Sequence, residues 1–497
     1  MIKDIARRIL LRMLIWTEKK TGPAVRHKFP VWSREVHFSP LLTICIVTVL
    51  IFSMLIIEIE PTIPAMLGLV LFFAVVLAAF IVYVKKESPE LAKDNDAMML
   101  LGLIAILSVM AIEVVKSLPS VSSFLVPISA MTVLTLMLLN RHIAVILAVS
   151  MSFICVMVNG FRFEYMLFHL LGSVVGVHTG ERIKNRQNIL YVGLEIMLAN
   201  IVSVVILTLS GYLKFGSLHE NVMWSGANGL LLIMILLILL SPLEMFFSRI
   251  TSIKLIELAD FNQPLLKRLV MEAPGTYHHS LTVASIAEQA GEAVDANTLL
   301  LRVGAYYHDI GKLVKPGYFI ENQIASDNPH DAIAPSMSGI VIISHIKEGV
   351  NLAKKKNMDR PIIDLIEQHH GDSLMYTLYQ KALEKNNEVP ESDFRYPGPK
   401  PKTRESAILM LADSCEAASR TLDEPTPGKL KNLVERIINN KFTDGQLADS
   451  PLTLSDLNKI AQSIVETLSG IYHARIEYEA SEKPAQPKDQ KTKEQKQ

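Results

Sequence analysis

LLRVGAYYHDIGK, residues 300–312, carries an apolar helical pattern into an imidazole and a carboxylate, His308-Asp309, and then into Ile310-Gly311-Lys312. The spacing predicts a helix over about 296–309 that ends near Gly311. An imidazole and a carboxylate together at a helix terminus can hold a hard or borderline cation, and the carboxylate can bridge two of them. One such pair is weak, so its surroundings decide. Seven of the 14 histidines lie between His278 and His370. His279 stands on an earlier helical pattern and Asp413 on a later one, MLADSCEAASR, so that separate helices can close one cation site around His279, His308, Asp309 and Asp413. His345 in VIISHIKEG and His369-His370 in IEQHHGD supply nitrogen for a second site sharing Asp309.

Around this stretch the pattern is helical throughout. A helix leads to a Pro274-Gly275 connection, a second helix begins near Tyr277, and further helices are predicted over 333–349, 361–368, 403–420, 428–439 and 454–473. Residues 381–402, rich in Pro, Glu and Lys, read as a long loop. The unit is expected to be an all-α domain over 249–477, followed by a polar tail, 478–497, with almost nothing to bury.

Upstream the composition changes. The chain is 50% hydrophobic and 20% charged overall, and the apolar excess is concentrated in eight stretches at about 41–59, 62–84, 98–116, 119–138, 142–158, 163–178, 189–211 and 226–248. The expectation is a polytopic helical bundle: a basic leader over 1–40, a first span over 41–59 and seven more within 62–248. Arg7, Arg8, Arg12, Lys85, Lys86, Arg141, Arg182, Lys184, Arg186, Arg249 and Lys254 fall in the leader and in alternate connections, which places both termini and the polar domain in the cytoplasm. Residues 1–20 read as an interfacial helix or a solvated leader, not a cleaved signal. Three dispersed cysteines make no disulfide framework. Glu113, Lys116, His169 and Glu195 lie in or near apolar stretches, either as packing and pairing residues or as part of a ligand-sensing bundle.

TYHHS, YYHDIGK, ENQ with NPHD, SHIKEG, EQHHGD, FRYPGPKP, MLADSCEAASR and DEPTPGKLKNLVERIINNKFTDGQL together resemble the bacterial seven-transmembrane HD family, membrane-bound cyclic-di-AMP phosphodiesterases, over nearly all of residues 62–477. The resemblance implies an HD phosphohydrolase domain. It places His279, His308, Asp309 and Asp413 on one metal and His345 and His369 on a second, with Asp309 bridging and His370 on the second metal or on a substrate phosphate. It further implies two divalent ions, iron or manganese, a bridging hydroxide as nucleophile, and opening of cyclic-di-AMP to linear pApA. In that family a large extracellular domain separates the first two spans; here only a few residues around Glu60-Pro61 do.

Other positions stay open between two readings. Lys312 contacts a phosphate oxygen or forms a surface salt bridge; Tyr396 and Lys400 stack with adenine and attract phosphate, or only shape a Pro-rich loop. His278 and His473 read as structural, His330 as organising the pocket or bracing its loop, Asp372 as orienting an imidazole or capping a turn, and Glu416 with Arg420 as a helix-face pair or a pocket support. With 49 basic and 49 acidic residues and no basic stripe, polymeric nucleic acid is not expected as a partner; membrane lipid and a second copy in a homodimer are. A nucleotide receptor without turnover, an HD phosphohydrolase acting on another nucleotide such as cyclic-di-GMP, and a regulated transporter are the competing readings, the last without repeated Gly/Pro-broken spans.

Overall fold

The computed structural model describes residues 94–323, 328–385 and 389–473, with scattered helical positions between 67 and 86. Among the described residues the structure is helical, apart from one isolated antiparallel bridge between Leu374 and Arg395. The chain divides into two compact units after Leu258.

The first unit contains α1 (Asn95–Ser117), α2 (Ile128–Leu138), α3 (Arg141–Val158), α4 (Phe163–Gly180), α5 (Arg186–Leu209), α6 (Leu218–Phe246) and α7 (Ser252–Leu258). Asp94, Asn140 and Asn185 start α1, α3 and α5 by accepting a hydrogen bond from a backbone amide inside the first turn. Four described segments, Asn95–Ser117, Arg141–Val158, Arg186–Leu209 and Phe215–Phe246, are long and apolar enough to cross a membrane. The expected eight are therefore met in part. The stretch 41–59 lies outside the described residues, and 62–84 is described only at scattered positions. The stretch 119–138 is not one continuous helix: a 3-10 turn at Ser123–Leu125 and Pro127 precede α2, whose 11 residues reach only about 16 Å. α4 has 18 residues but carries Glu164, His169, Ser173 and His178, which dilute its apolar character.

A polar knot closes the break before α2. Asn228 of α6 donates to the carbonyls of Phe124 (3.0 Å) and Val126 (2.8 Å) and accepts from Ser129 (3.3 Å) and Asn200 (3.1 Å). Carbonyls freed from a helix in an apolar bundle find no water, so the side-chain amide takes its place. His169 is likewise buried and bonded through Nε2 to the carbonyl of Ser123 at 3.1 Å, a packing role, whereas Glu195 is exposed on α5.

The second unit contains α8 (Pro264–Glu272), α9 (Pro274–Glu292), α10 (Thr298–Tyr307), α11 (Pro335–Lys355), α12 (Arg360–Gln368), α13 (Tyr376–Lys385), α14 (Arg404–Ser419), α15 (Pro427–Thr443) and α16 (Leu454–His473). α14 is its centre. Residues 407–412, AILMLA, are wholly buried on every face, as a helix surrounded by others requires, and pack among α9, α10, α15 and α16. Two expectations are corrected. Pro274-Gly275 is the first turn of α9, because proline lacks only an N–H that a helix start leaves unpaired anyway. The loop expected over 381–402 begins later: α13 continues to Lys385, with Ala382 buried and Tyr379 packed against Phe394, and residues 391–394 form a 3-10 turn.

Candidate metal centre

α10 ends at Tyr307, and His308 and Asp309 follow at the point where the chain tightens into a 3-10 turn, Ile310–Val314. Gly311 sets what that turn can touch. A Cβ there would lie 1.8 Å from the carbonyl oxygen of His345 and 2.6 Å from the amide nitrogen of Gly349, so only glycine lets the turn press against α11. That approach carries His345 to Asp309. α9 supplies His279, the end of α12 supplies His369 and His370, and α14 supplies Asp413.

The four buried imidazoles share one arrangement. His308, His345 and His369 each lie with Nδ1 against a carbonyl three residues back, at Ala305 (2.7 Å), Ile342 (2.5 Å) and Ile366 (2.8 Å). A carbonyl only accepts, so Nδ1 carries the hydrogen and Nε2 presents a lone pair. His279 places Nδ1 2.6 Å from Glu416 Oε2 and turns Nε2 toward Asp413 Oδ1 at 3.1 Å and Asp309 Oδ2 at 3.6 Å. His308 Nε2 lies 3.2 Å from Asp309 Oδ2; on the other side His345 Nε2 and His369 Nε2 lie 3.4 and 3.9 Å from Asp309 Oδ1. His370 Nδ1 is 3.6 Å from Asp413 Oδ2. Asp309 thus stands between two groups of nitrogens, one oxygen toward each.

This geometry fits cations. His308 Nε2 and Asp309 Oδ1 are buried without a hydrogen-bond partner, which is costly for a polar atom. His345 Nε2 and His369 Nε2 face one another at 3.4 Å although both Nδ1 atoms are already donors, so two lone pairs meet where an electrophile belongs. Ligand atoms lie within 4.8 Å of one another in three sets: His279, His308 and Asp413; His345, His369 and His370; and His308, Asp309 and His369. The donors are borderline nitrogens and hard carboxylates, suited to divalent ions.

The electrostatics keep most of these groups, though not His279, in the form that holds a cation. Burial disfavours charge on Asp309, but Lys312, His308 and His345 outweigh it and hold the carboxyl well below the usual carboxylate range. Burial also opposes a charged Asp413, and the bond from His279 and the nearby His370 reverse that. Burial, with His308 beside it, pushes His369 down to about 3, and burial lowers His345 and His370 as well, keeping these rings neutral and available as ligands. His279 is pushed the other way, to about 10, because Asp413 and Glu416 outweigh its burial.

A second ring surrounds these residues. Lys312 Nζ lies 2.7 Å from both Asp309 Oδ2 and Glu321 Oε1 and sits over the Phe319 ring. Thr276 donates to Glu321 at 3.1 Å, and Asn322 accepts the Thr276 amide at 3.0 Å, so the ENQ segment is seated on the first turn of α9. Tyr396 stacks on His370 with ring centres 4.2 Å apart. It is held there by a short ladder in which Met375 N donates to Phe394 O, Tyr396 N to Ser373 O and Gly398 N to Gly371 O. Lys400 instead lies 3.7 Å from Asp372, whose other oxygen accepts from Gln446. His278 is exposed beside Tyr277, and His330 braces its loop through the Tyr318 carbonyl at 2.8 Å. The side chain of His473 lies outside the described residues.

Sequence reading assigned no role to Glu321 and left Glu416 between two. Glu416 does both things considered for it, bonding His279 and pairing with Arg420. Its position three residues after Asp413 on one helix face was the available signal.

A family model described as a 7TM receptor with intracellular HD hydrolase matches residues 63–251, and a model of the HD domain matches residues 276–418. The chain belongs to this family. As a member of the 7TM-HD family it is a multi-pass bacterial membrane protein whose HD domain lies in the cytoplasm. The cyclic-di-AMP phosphodiesterase PgpH of Bacillus subtilis (strain 168) is 39% identical over 434 residues, 84% of this chain and 60% of that protein. The protein of the same name from Listeria monocytogenes is 36% identical over 422 residues, 83% of this chain and 58% of that one. The chain therefore spans about three fifths of the length of these curated relatives. The crystal structure of the L. monocytogenes PgpH HD domain in complex with cyclic-di-AMP is 47% identical and covers 43% of this chain and 100% of that one, at a TM-score of 0.42.

Proposed function

We propose that this chain is a metal-dependent phosphodiesterase that opens cyclic-di-AMP to linear pApA in the cytoplasm. The observation that carries the reading is the convergence of buried imidazoles, their Nδ1 atoms already engaged, on the two oxygens of Asp309. The substrate assignment draws on the PgpH relatives.

In this reading His279, His308, Asp309 and Asp413 hold one divalent ion and Asp309, His345, His369 and His370 a second; the donors suit divalent ions in general, and iron or manganese is what the family resemblance implies. Such ions, when bound, lower the pKa of a water and withdraw charge from phosphoryl oxygens. The chain's own residues supply the rest. Lys312, charged and with its side chain 13% exposed, binds a non-bridging phosphate oxygen, and Glu321 keeps its ammonium at that edge of the site. Tyr396, half-buried and braced from behind by His370, offers a ring to an adenine. Lys400, turned toward Asp372, serves the shape of the loop more directly than the phosphate. The membrane part is assigned eight crossings, the seven of the family model's name and the stretch 41–59, in agreement with the basic connections. Lateral packing of those helices gives a homodimer, which the mass of the detergent-solubilised chain checks.

The test is linear pApA formation from cyclic-di-AMP by the full-length chain loaded with Mn²⁺ or Fe²⁺, beside Asp309→Ala and with cyclic-di-GMP and a short oligonucleotide as controls. Turnover selective for cyclic-di-AMP and lost in the variant is expected. A folded, metal-loaded chain that binds the dinucleotide without turnover is a receptor instead.

A further inference from the structure

We infer that Glu416 is a positioning residue that makes the His279 half of the centre the tighter of its two cation sites. The inference rests on the metal-centre reading above and goes beyond it, since the ligand set alone does not rank the two halves.

Three of the four buried imidazoles hand their Nδ1 hydrogen to a neutral carbonyl on their own helix. His279 differs. Its Nδ1 lies 2.6 Å from a carboxylate oxygen carried by another helix, α14, 137 residues away in sequence. A charged acceptor holds an imidazole more strongly than a carbonyl does and pushes electron density toward the opposite nitrogen, making it a better ligand. Glu416 is fixed in place for this: it is 2% exposed, its Oε2 is occupied by His279, and its Oε1 is gripped by Arg420, whose Nε lies 2.7 Å away. With both oxygens engaged it cannot swing inward to become a ligand itself. Asp413 sits one helical turn away on the same helix, so α14 delivers a ligand and the support of another ligand from one face.

The other half lacks both advantages. It combines neutral rings, each of the two buried ones backed by a carbonyl, with the second oxygen of Asp309, and brings no carboxylate of its own. One more anionic ligand and one carboxylate-backed ring on the first side make the two affinities unequal, and the first site fills first.

The experiment is a Mn²⁺ titration of the full-length chain in detergent, counting bound ion by electron paramagnetic resonance and total ion by mass spectrometry. The wild-type chain is expected to bind two ions in two classes. Glu416→Gln keeps the size and an acceptor oxygen but not the charge, and should weaken the tight class about 10-fold while the weak class stays within about threefold; Glu416→Ala should weaken the tight class by up to about 100-fold. His345→Ala should lose the weak class and keep the tight one at its wild-type constant, a test that does not depend on how the Glu416 variants fold. Two ions of equal affinity, a tight class unmoved in folded Glu416→Gln, or a tight class lost in His345→Ala would each overturn the inference. A wild-type chain that binds no ion would overturn the metal-centre reading as well, so the two failures are distinct.

Discussion

Gly311→Ala is the sharpest test of how the centre is assembled. The added Cβ would meet the His345 carbonyl oxygen at 1.8 Å, and real Cβ contacts essentially never fall under 3.0 Å. The turn and α11 must therefore part by about 1.2 Å. His345 Nε2 lies 3.4 Å from both Asp309 Oδ1 and His369 Nε2, a separation across which one ion reaches all three. Ligand distances tolerate only about 0.2 Å, so a displacement six times larger detaches His345 from the second site while leaving His279, His308 and Asp413 in place. The expected result is a chain that binds one ion instead of two, with kcat/KM for cyclic-di-AMP down about 100-fold, the scale that a 1 Å misplacement costs. Far-UV circular dichroism should be unchanged, because α10 and α11 both persist. A variant that keeps two ions and turns over within threefold of the wild-type chain would refute the reasoning.

Chelation should destabilise the HD domain, because the orphaned His308 Nε2 and Asp309 Oδ1 lose their partner; an ion held at 1,000 times its dissociation constant contributes about 4 kcal/mol, or about 10 °C in Tm, and a scanning melt with and without EDTA that coincides would count against the site. Glu321→Gln removes one of the two carboxylates holding Lys312; a charged hydrogen bond of about 1.5–3 kcal/mol converts to a loss of at least about tenfold in kcat/KM, expressed mainly in KM, and steady-state kinetics with an unchanged KM would separate Lys312 from the phosphate. In the membrane unit, Asn228→Leu strips partners from Phe124, Val126, Ser129 and Asn200; at about 0.6 kcal/mol for each bond the bundle should lose about 2 kcal/mol in a detergent unfolding titration, and a loss under about 0.5 kcal/mol would show that the knot is dispensable.

The metal-ligand candidates were legible because each is a residue type with few structural uses in a helical interior, and their order along the chain placed them at helix ends or on inward faces. The helices of the second unit were legible for the same reason, with errors where local chemistry is ambiguous. Pro274-Gly275 reads equally as a break or as a helix start, and the charged surface of α13 masked the single face it buries through Ala382. The interruption within 119–138 was illegible for another reason. The apolar composition of that stretch says nothing about where the backbone bonds go, and at the break around Ser123–Leu125 the carbonyls of Phe124 and Val126 are met by Asn228, more than 100 residues later, and that of Ser123 by His169.

By itself the sequence determined the division of this protein into an apolar helical part and a polar all-α part, and it singled out the histidines and aspartates that the fold gathers, because periodicity and residue chemistry are local properties of a chain. Only the tertiary structure decided which nitrogen of each ring faces inward, which oxygen of Asp309 serves which half, that Lys312 stands between Asp309 and Glu321, and that Glu416 supports His279. Those facts depend on distances between helices far apart in sequence. Such distances are set by packing, here by the missing side chain of Gly311 and the buried run of α14, and packing has no one-dimensional signature.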